Sequence, residues 1–323
     1  MPKILVAPGS GDIHWVMLKM ESLIKNQFEG ETPEIWVWSE NRKTERSEGY
    51  VRRIPFVKWG GYFRAEKHVG KGQQVFVDGQ PWIMDGWNGF DIFVAFNAPL
   101  GWGTHISKIM SRWDINWNYP IQLDLADVAF ASEIALNRKP LVLVSFFGHS
   151  FYKGWLKHFN TGRIKQLLAK LRENHTVVLT GREWDGFMSA QGGLGDVDLV
   201  GKTSMGQLLG LCTKARAFVG FAAGNGMLAQ HLNCPTFMLW NMKQWHPHFA
   251  TNWVAPSKLA DCTYRALDIR TPNLVDFIAE RINAKSLSLH RDGSGTQREP
   301  ADDGPAGVSG SVGETERPPA APG

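Results

Sequence analysis

The chain has 323 residues, 43% of them hydrophobic, and a formal net charge of +4. This length suffices for about two ordinary domains with a full core in each, and the lack of any uncharged apolar run of 18 residues argues against a membrane span. The three cysteines form no C-x-x-C pair, which disfavours a metal site and is typical of a protein of the reducing cytoplasm.

The first predicted elements are a strand and a helix joined by a glycine-rich turn. "KILVAP" is a short apolar run of strand type, Gly9-Ser10-Gly11 can turn the chain sharply, and the apolar residues from Trp15 onward suit a helix. Asp12 therefore falls near the first turn of that helix. Two interpretations stay open from these residues alone: Asp12 caps the helix, or it is a catalytic carboxylate at the carboxyl end of a strand.

Strand-like runs then alternate with amphipathic stretches. The other predicted strands are "EIWVW", "QQVFV" and "FDIFVAF", followed by "PLVLVSFF", "HTVVLTG", "VDLVG", "AFVGF" and "PTFMLW". The predicted helices cover residues 15–27, 104–113, 161–173, 204–213 and 224–232. This alternation predicts an α/β fold whose parallel sheets are built from right-handed strand–helix–strand units.

The polar link "ALNRKP" interrupts the alternation and ends in proline. We place a domain boundary there, so that two Rossmann-like, doubly wound domains, residues 1–136 and 137–284, face a central cleft. Residues 285–323 are dominated by Gly, Pro, Ser, Ala and charge and contain no aromatic residue. Such a segment buries too little apolar surface to offset its ordering entropy, and we predict that this tail is disordered.

Two motifs that look like phosphate-binding loops do not fit their patterns. "GSGDIH" has His14 where a dinucleotide-binding loop needs its third glycine. "GKTS" has Gly195 one residue out of register for a P-loop, and Ser204-x-x-Gln207 is instead typical of a helix capping box.

The second half resembles a known family. "FVGFAAGNGMLAQHLNCPT" is similar, without a gap, to "F-V-G-N-D-S-G-P-M-H-L-A-A-A-L-G-V-P-T" of the heptosyltransferase-type glycosyltransferases of family 9, and "GKTS" precedes it as in that family. "SFFGHSFYKGW" and "VLTGREWD" resemble the family's two preceding strand ends, and "GSGDIHWVMLKMESL" resembles its opening "G-D-V-L-x-T-x-P-A-L". The resemblance implies a GT-B fold and transfer of a sugar from a nucleotide-diphosphate sugar. It also implies that the helix-like residues 272–284 pack back near the N-terminal domain.

The resemblance implies a role for Asp12 as general base of an inverting transfer, taking a proton from the acceptor hydroxyl as that oxygen attacks the anomeric carbon. Lys153 would neutralise charge on the leaving diphosphate, and backbone N–H groups at a helix start would bind phosphate. The donor-binding positions implied in this way are Gly11, Lys153, Glu183, Thr203, Gly224, Asn225 and Gly226.

No metal and no cofactor is expected, because positioned charges can replace a metal and the nucleotide sugar is itself a substrate. The nearest metal candidates, His149, His246 and His248, suit a loop packed on aromatic residues better. The chain departs from the family at two donor-binding positions, where Ala222 replaces an aspartate and Met227 a histidine. A nucleotide-sugar-binding protein without turnover therefore stays an alternative.

The acceptor prediction rests on charge. Residues 42–71 contain nine basic and three acidic residues, with aromatic residues between them. Either this is a solvated surface, or it binds a polyanion through Arg52, Arg53, Lys58 and Trp59. A lipopolysaccharide-core saccharide and DNA with a hydroxymethylated base are both suitable polyanions, and we favour the saccharide because of the family resemblance. The same positive charge leaves peripheral contact with a membrane open.

Overall fold

The structure is a computed structural model that describes residues 1–38, 45–64, 83–87, 89–94, 110, 112–146, 159–181, 194–221, 223–240 and 264–284. The predicted strand "QQVFV", most of the predicted helix 104–113 and the predicted disordered tail lie outside these residues. No helix within the described ranges combines the length and the apolar character that crossing a membrane requires.

The described strands of the first half form a five-stranded sheet in the order β3-β2-β1-β5-β4, with β4 antiparallel to β5 and the other described pairs parallel. Its elements are β1 (Lys3–Val6), α1 (Ser10–Gln27), β2 (Glu34–Trp38), α2 (Glu45–Val51), β3 (Lys58–Phe63), β4 (Ile83–Trp87) and β5 (Phe90–Val94). Because β1 lies between β2 and β5, the chain leaves its carboxyl end at a point where the strand order reverses, which is where open sheets bind ligands.

The second half contains a six-stranded sheet in the order β11-β10-β9-β6-β7-β8, with every neighbouring pair of these described strands parallel. Its strands are β6 (Leu141–Ser145), β7 (Thr176–Leu179), β8 (Val197–Asp198), β9 (Ala217–Phe221), β10 (Thr236–Trp240) and β11 (Tyr264–Asp268). Its helices are α4 (Thr161–Asn174), α5 (Met205–Lys214), α6 (Gly224–His231) and α7 (Leu274–Asn283). This is the doubly wound order that the sequence predicts, and the order reverses between β6 and β9.

Several observed elements lack a clear pattern in the sequence. Strand β3 has the sequence "KWGGYF", whose two glycines weaken a strand pattern, yet they are required because the Trp36 ring lies against both of them. Strands β4 and β11 and the helices α2 and α3 (Leu125–Ala135) were not predicted either. The capping box is confirmed, since Ser204 Oγ accepts from Gln207 N at 3.1 Å and Gln207 Oε1 from Ser204 N at 2.8 Å.

One apolar core runs through both halves. Every residue of α1 from Ile13 to Met20 is buried, so this helix is covered on all its faces rather than along one stripe. Helix α1 contacts α6, and the same core cluster holds β1 and α1 residues together with α5 and α6 residues. A second cluster, on the other face of the six-stranded sheet, holds α4 and α7.

Two helices lie in places that bear on the domain prediction. Helix α3 precedes the predicted boundary but packs closely against α5, where a Cβ on Gly210 would stand 2.5 Å from the carbonyl oxygen of Asp127. Helix α7 packs on α4, with Lys170 and Asp276 paired at 3.0 Å. The prediction that residues 272–284 pack near the N-terminal domain is therefore wrong, because the apolar face of α7 joins the second cluster.

Candidate functional site

The turn after β1 holds Asp12 in a position that only glycine at residue 9 permits. Gly9 is the N-cap residue of α1 with φ of 126°, and a Cβ there would stand 2.9 Å from Asp12 Oδ2. Asp12 is the third residue of the helix, and the N-cap position carries no side chain at all. The capping interpretation is thus wrong, and the carboxylate lies at the carboxyl end of β1 instead.

The environment of Asp12 favours its neutral form. Burial raises the pKa of the Asp12 carboxyl to about 7, and no oppositely charged side chain in the described part of the chain lowers it again. A carboxylate with a pKa near 7 binds a proton far more readily than an ordinary aspartate does. Such a group can accept a proton at neutral pH, as a general base must.

The first turns of α1 and α6 meet beside Asp12. A Cβ on Gly224 would stand 2.8 Å from the backbone nitrogen of Gly11 and 3.1 Å from Ser10 Oγ, so the two backbones touch. Neither N-cap residue, Gly9 or Ala223, gives its helix a side-chain cap. Two helix N-termini with their partial positive charge therefore face the same place, and this suits an anion.

Met227 connects the two helices just behind this contact. The Trp15 indole N–H donates to Met227 Sδ at 3.4 Å, and the methionine is buried. At the position where the family has a donor-binding histidine, this chain therefore has a packing contact between its halves.

Arg46 reaches from the first half to the carboxyl edge of the second sheet, by which we mean the edge where its parallel strands end. Its Nη2 donates to the carbonyl oxygen of Gly181 at 2.9 Å and to that of Thr203 at 3.4 Å. The next residue, Ser47, accepts a bond from Gly9 N at 3.4 Å. Arg46 thus connects the Asp12 turn to the turn before α5. In the sequence Arg46 stands out only as one of nine basic residues, although its place after β2 was a usable signal.

The structure brings together only part of the residue set that the sequence predicts. Gly11, Asp12, Thr203 and Gly224 to Gly226 lie at the facing carboxyl edges of the two sheets. Lys153, Glu183 and Ala222 lie outside the described residues, as do the three candidate metal-binding histidines. Among the described residues there is no group of three or more His, Cys, Asp or Glu side chains that could hold a metal ion.

The predicted acceptor residues do not lie beside Asp12. Lys58 and Trp59 begin β3 and pair with Glu34 and Ile35, so they lie at the amino edge of the sheet, about 16 Å along the strand from its carboxyl end. Arg52 and Arg53 lie just beyond the carboxyl end of α2, the end away from Arg46.

Both of these arginines also have partners. Arg52 pairs with Glu48 at 2.8 Å, and Arg53 pairs with Asp127 and Asp124. Grouping these residues with Asp12 in one acceptor site does not fit this placement.

A buried polar cluster also joins the halves. Nδ1 of His14 on α1 lies 2.5 Å from Tyr119 Oη and 3.2 Å from Tyr50 Oη, and the two tyrosine hydroxyls bond to each other. His231 on α6 binds the Tyr119 carbonyl through Nε2 at 2.7 Å. Burial raises the pKa of both tyrosines, so they remain neutral. The cluster fixes α1, α2 and α6 relative to one another.

Comparison with known proteins gives a fold. No protein-family model matches the sequence. No curated protein matches it either. Escherichia coli ADP-heptose LPS heptosyltransferase II superposes with a TM-score of 0.59 over 89% of this chain and 98% of its own, at 13% identity. The family 9 glycosyl transferase from Veillonella parvula DSM 2008 superposes with a TM-score of 0.54 over 83% and 86%, at 12% identity.

These superpositions confirm the fold class that the sequence predicts. The chain has two Rossmann-like sheets arranged as in GT-B proteins. More particularly, it has the fold of the heptosyltransferases and family 9 glycosyltransferases.

Proposed function

We propose that this protein is a glycosyltransferase that moves a sugar from a nucleotide-diphosphate sugar to a hydroxyl group, with inversion at the anomeric carbon and without a metal. The observation that carries the proposal is the position of Asp12. Its carboxyl group, with a pKa of about 7, lies where two helix N-termini without side-chain caps meet. A base and an anion site side by side are what such a transfer needs. The fold shared with heptosyltransferase II supports the same conclusion.

The proposed step balances as follows. Asp12 takes the proton of the acceptor hydroxyl as that oxygen bonds to the anomeric carbon, and the bond from this carbon to the diphosphate oxygen breaks. The electron pair leaves with the nucleoside diphosphate, whose charge is stabilised by the backbone N–H groups of Gly224 and Asn225 in the first turn of α6. The Gly226 N–H already donates to the Ala223 carbonyl at 3.0 Å, so Gly226 contributes close approach of the backbone rather than a donor. Lys153 and Glu183 remain proposed donor-binding residues on the strength of the family resemblance alone.

Asp12→Asn tests the catalytic part. We expect at least about 10²-fold loss of turnover with little change in affinity for the nucleoside diphosphate, because the amide cannot accept the proton. Asp276→Asn on α7 is the matched control and should keep full activity. ADP-heptose is the first donor to try, since heptosyltransferase II is named for it. Near-full activity in Asp12→Asn would reject Asp12 as the base, and donor binding without any transfer would instead support the binding-protein alternative.

For the acceptor we propose a polyanionic saccharide of the lipopolysaccharide-core type. Exposed Arg64, directly after β3, lies at the same carboxyl edge as the Asp12 turn, two strands or about 10 Å across the sheet. Among the described basic residues of the predicted acceptor segment, this position makes Arg64 our proposed contact for an anionic acceptor.

Two charge reversals on one strand test this proposal. Arg64→Glu should raise the acceptor KM several-fold and leave the donor KM unchanged, whereas Lys58→Glu, at the other end of β3, should change neither. Equal changes of the acceptor KM in Arg64→Glu and Lys58→Glu would reject the proposal that the acceptor binds at the carboxyl edge near Arg64. Transfer to hydroxymethylated duplex DNA, with no transfer to a lipopolysaccharide core, would reject the saccharide and favour the DNA alternative.

A further inference from the structure

Two buried hydroxyl groups of the second half have no hydrogen-bond partner. Ser145 is 4% exposed and Thr203 is 8% exposed, and neither Ser145 Oγ nor Thr203 Oγ1 bonds to any atom of the described residues. Buried hydroxyls in folded proteins are nearly always bonded, because an unpaired one has lost its water without replacement. Both positions therefore suit a bound ligand.

Ser145 ends β6, the strand at which the order of the second sheet reverses. Its register partner on β9 is Gly220, which lies so close that a Cβ there would meet the Ser145 carbonyl oxygen. Side chains alternate along a strand, so the Ser145 hydroxyl points to the same face as Leu143, which is the face covered by α5 and α6. The hydroxyl thus lies under the first turns of these helices.

Thr203 lies at the same end of the same layer. Thr203 precedes Ser204, the N-cap residue of α5. The Arg46 guanidinium donates to the Thr203 carbonyl oxygen and to the carbonyl oxygen of Gly181, which lies just after β7. These two carbonyl bonds fix a positive charge over the carboxyl edge of the second sheet. The α6 N-terminus, which has no side-chain cap, lies after the adjacent strand β9.

We propose that Ser145, Thr203 and Arg46 form a subsite for the diphosphate of the donor, to which each half of the protein contributes. The two hydroxyls donate to phosphate oxygens, and the Arg46 guanidinium balances the negative charge of the diphosphate. The backbone N–H groups at the start of α6 lie next to this subsite. This proposal rests on the proposed function, and it adds Ser145 and Arg46 to the residues that the family resemblance implies. Because Arg46 comes from the first half, donor binding also holds the two halves together on the reaction side.

Isothermal titration of the full chain with ADP and with inorganic pyrophosphate tests the subsite. Arg46→Gln should weaken both ligands about tenfold or more, and Ser145→Ala and Thr203→Val should weaken them several-fold. Arg52→Gln, on the same segment but paired with Glu48 away from the site, is the control and should bind as the parent does. Unchanged affinity in Arg46→Gln and Ser145→Ala would overturn the subsite while leaving the proposed function intact.

Thermal unfolding of the ligand-free protein separates a binding role from a structural one. Ser145→Ala and Thr203→Val remove unpaired hydroxyls, so we expect both variants to melt at the same or a higher temperature than the parent while binding ADP less tightly. Lower melting temperatures in both would show that the hydroxyls serve the fold and would reject the subsite. A parent protein that binds neither ADP nor pyrophosphate would reject the proposed function itself.

Discussion

Asp12 combines burial, which disfavours its charged form, with a proposed role as general base, which requires that form. Burial raises the pKa of its carboxyl from 3.8 to about 7, so the folded protein holds this proton more tightly than the unfolded chain does. As the pH rises from about 4 to 7, the unfolded chain loses the proton first, and the free energy of unfolding falls by up to about 4 kcal/mol. Well above pH 7 both states are deprotonated, and the free energy of unfolding does not fall further through Asp12.

We therefore expect Asp12→Asn to be more stable than the parent at pH 8 and to lose this advantage towards pH 4. Urea unfolding at pH 8, 6 and 4 measures the difference, with Asp276→Asn as the control: it removes an exposed ion pair with Lys170 and should not gain stability over the parent at pH 8. The pH dependence of the proposed activity should be opposite to that of stability. Activity should decrease as the pH drops below about 7, because only the carboxylate form of Asp12 accepts a proton. Identical pH dependence of stability in parent and Asp12→Asn would contradict the raised pKa.

Gly224 is the residue at which a single added methyl group should report on the contact between α1 and α6. Its Cβ would stand 2.8 Å from Gly11 N, so backbone must move in Gly224→Ala. We expect a loss of about 1–3 kcal/mol in the free energy of unfolding, together with weaker ADP binding. Gly162→Ala on α4 is the control, since its nearest atom is a side-chain oxygen of Asn160 at 3.2 Å. Equal stability of the two variants would show that the helix ends are not in contact.

At the scale of elements, the joint between α3 and α5 explains what Arg53 does. Its side chain is 13% exposed and that of Asp127 on α3 is 8% exposed, and their ion pair also includes Asp124. The Arg53 guanidinium further donates to the Gly49 carbonyl at 2.6 Å. The same guanidinium lies against the first turn of α5, where a Cβ on Gly206 would overlap it. Arg53 thus connects α2, α3 and α5, where the sequence suggested only positive charge.

Removing one partner of this pair leaves a buried charge, so Arg53→Ala should lower the free energy of unfolding by about 3–5 kcal/mol. Arg52→Ala breaks only an exposed pair with Glu48 and should cost less than about 1 kcal/mol. Urea unfolding compares the two neighbouring arginines directly. If the two variants were equally stable and Arg53→Ala instead raised an acceptor KM, the earlier acceptor assignment of Arg53 would regain its basis.

At the scale of the whole molecule, the two sheets share one apolar core. The core cluster around α1 includes side chains from both halves, and the cluster of His14, Tyr50, Tyr119 and His231 adds polar contacts across the same joint. Neither half has a complete core of its own on this side. The halves should therefore stabilise each other.

We expect the full chain to unfold in a single transition, with tryptophan fluorescence and far-UV circular dichroism giving coincident urea curves. A fragment of residues 1–136 should fail to fold alone, because it would expose the faces of α1 and α3 that α5 and α6 cover. Two separate transitions, or a stably folded fragment, would contradict the shared core.

The sequence by itself determined those features that depend on interactions between residues close together in the chain. The alternation of strands and helices, the capping box at Ser204 and the strand–turn–helix around Asp12 all depend on residues within a few positions of one another, so their patterns were readable. The family motifs gave the correct fold because their order along the chain was itself informative.

The tertiary structure alone decided which charged side chains lie near the Asp12 turn and which lie far from it. Arg46, Arg52 and Lys58 fall within thirteen residues of sequence, yet α2 carries the chain from the carboxyl edge of the sheet to the amino edge, where β3 begins at Lys58. The partners of Arg53 and of Met227 lie 74 and 212 residues away, and the desolvation that raises the pKa of Asp12 comes from the assembled surroundings. Contacts of that kind depend on how the two sheets and their helices meet, which no short window of sequence contains.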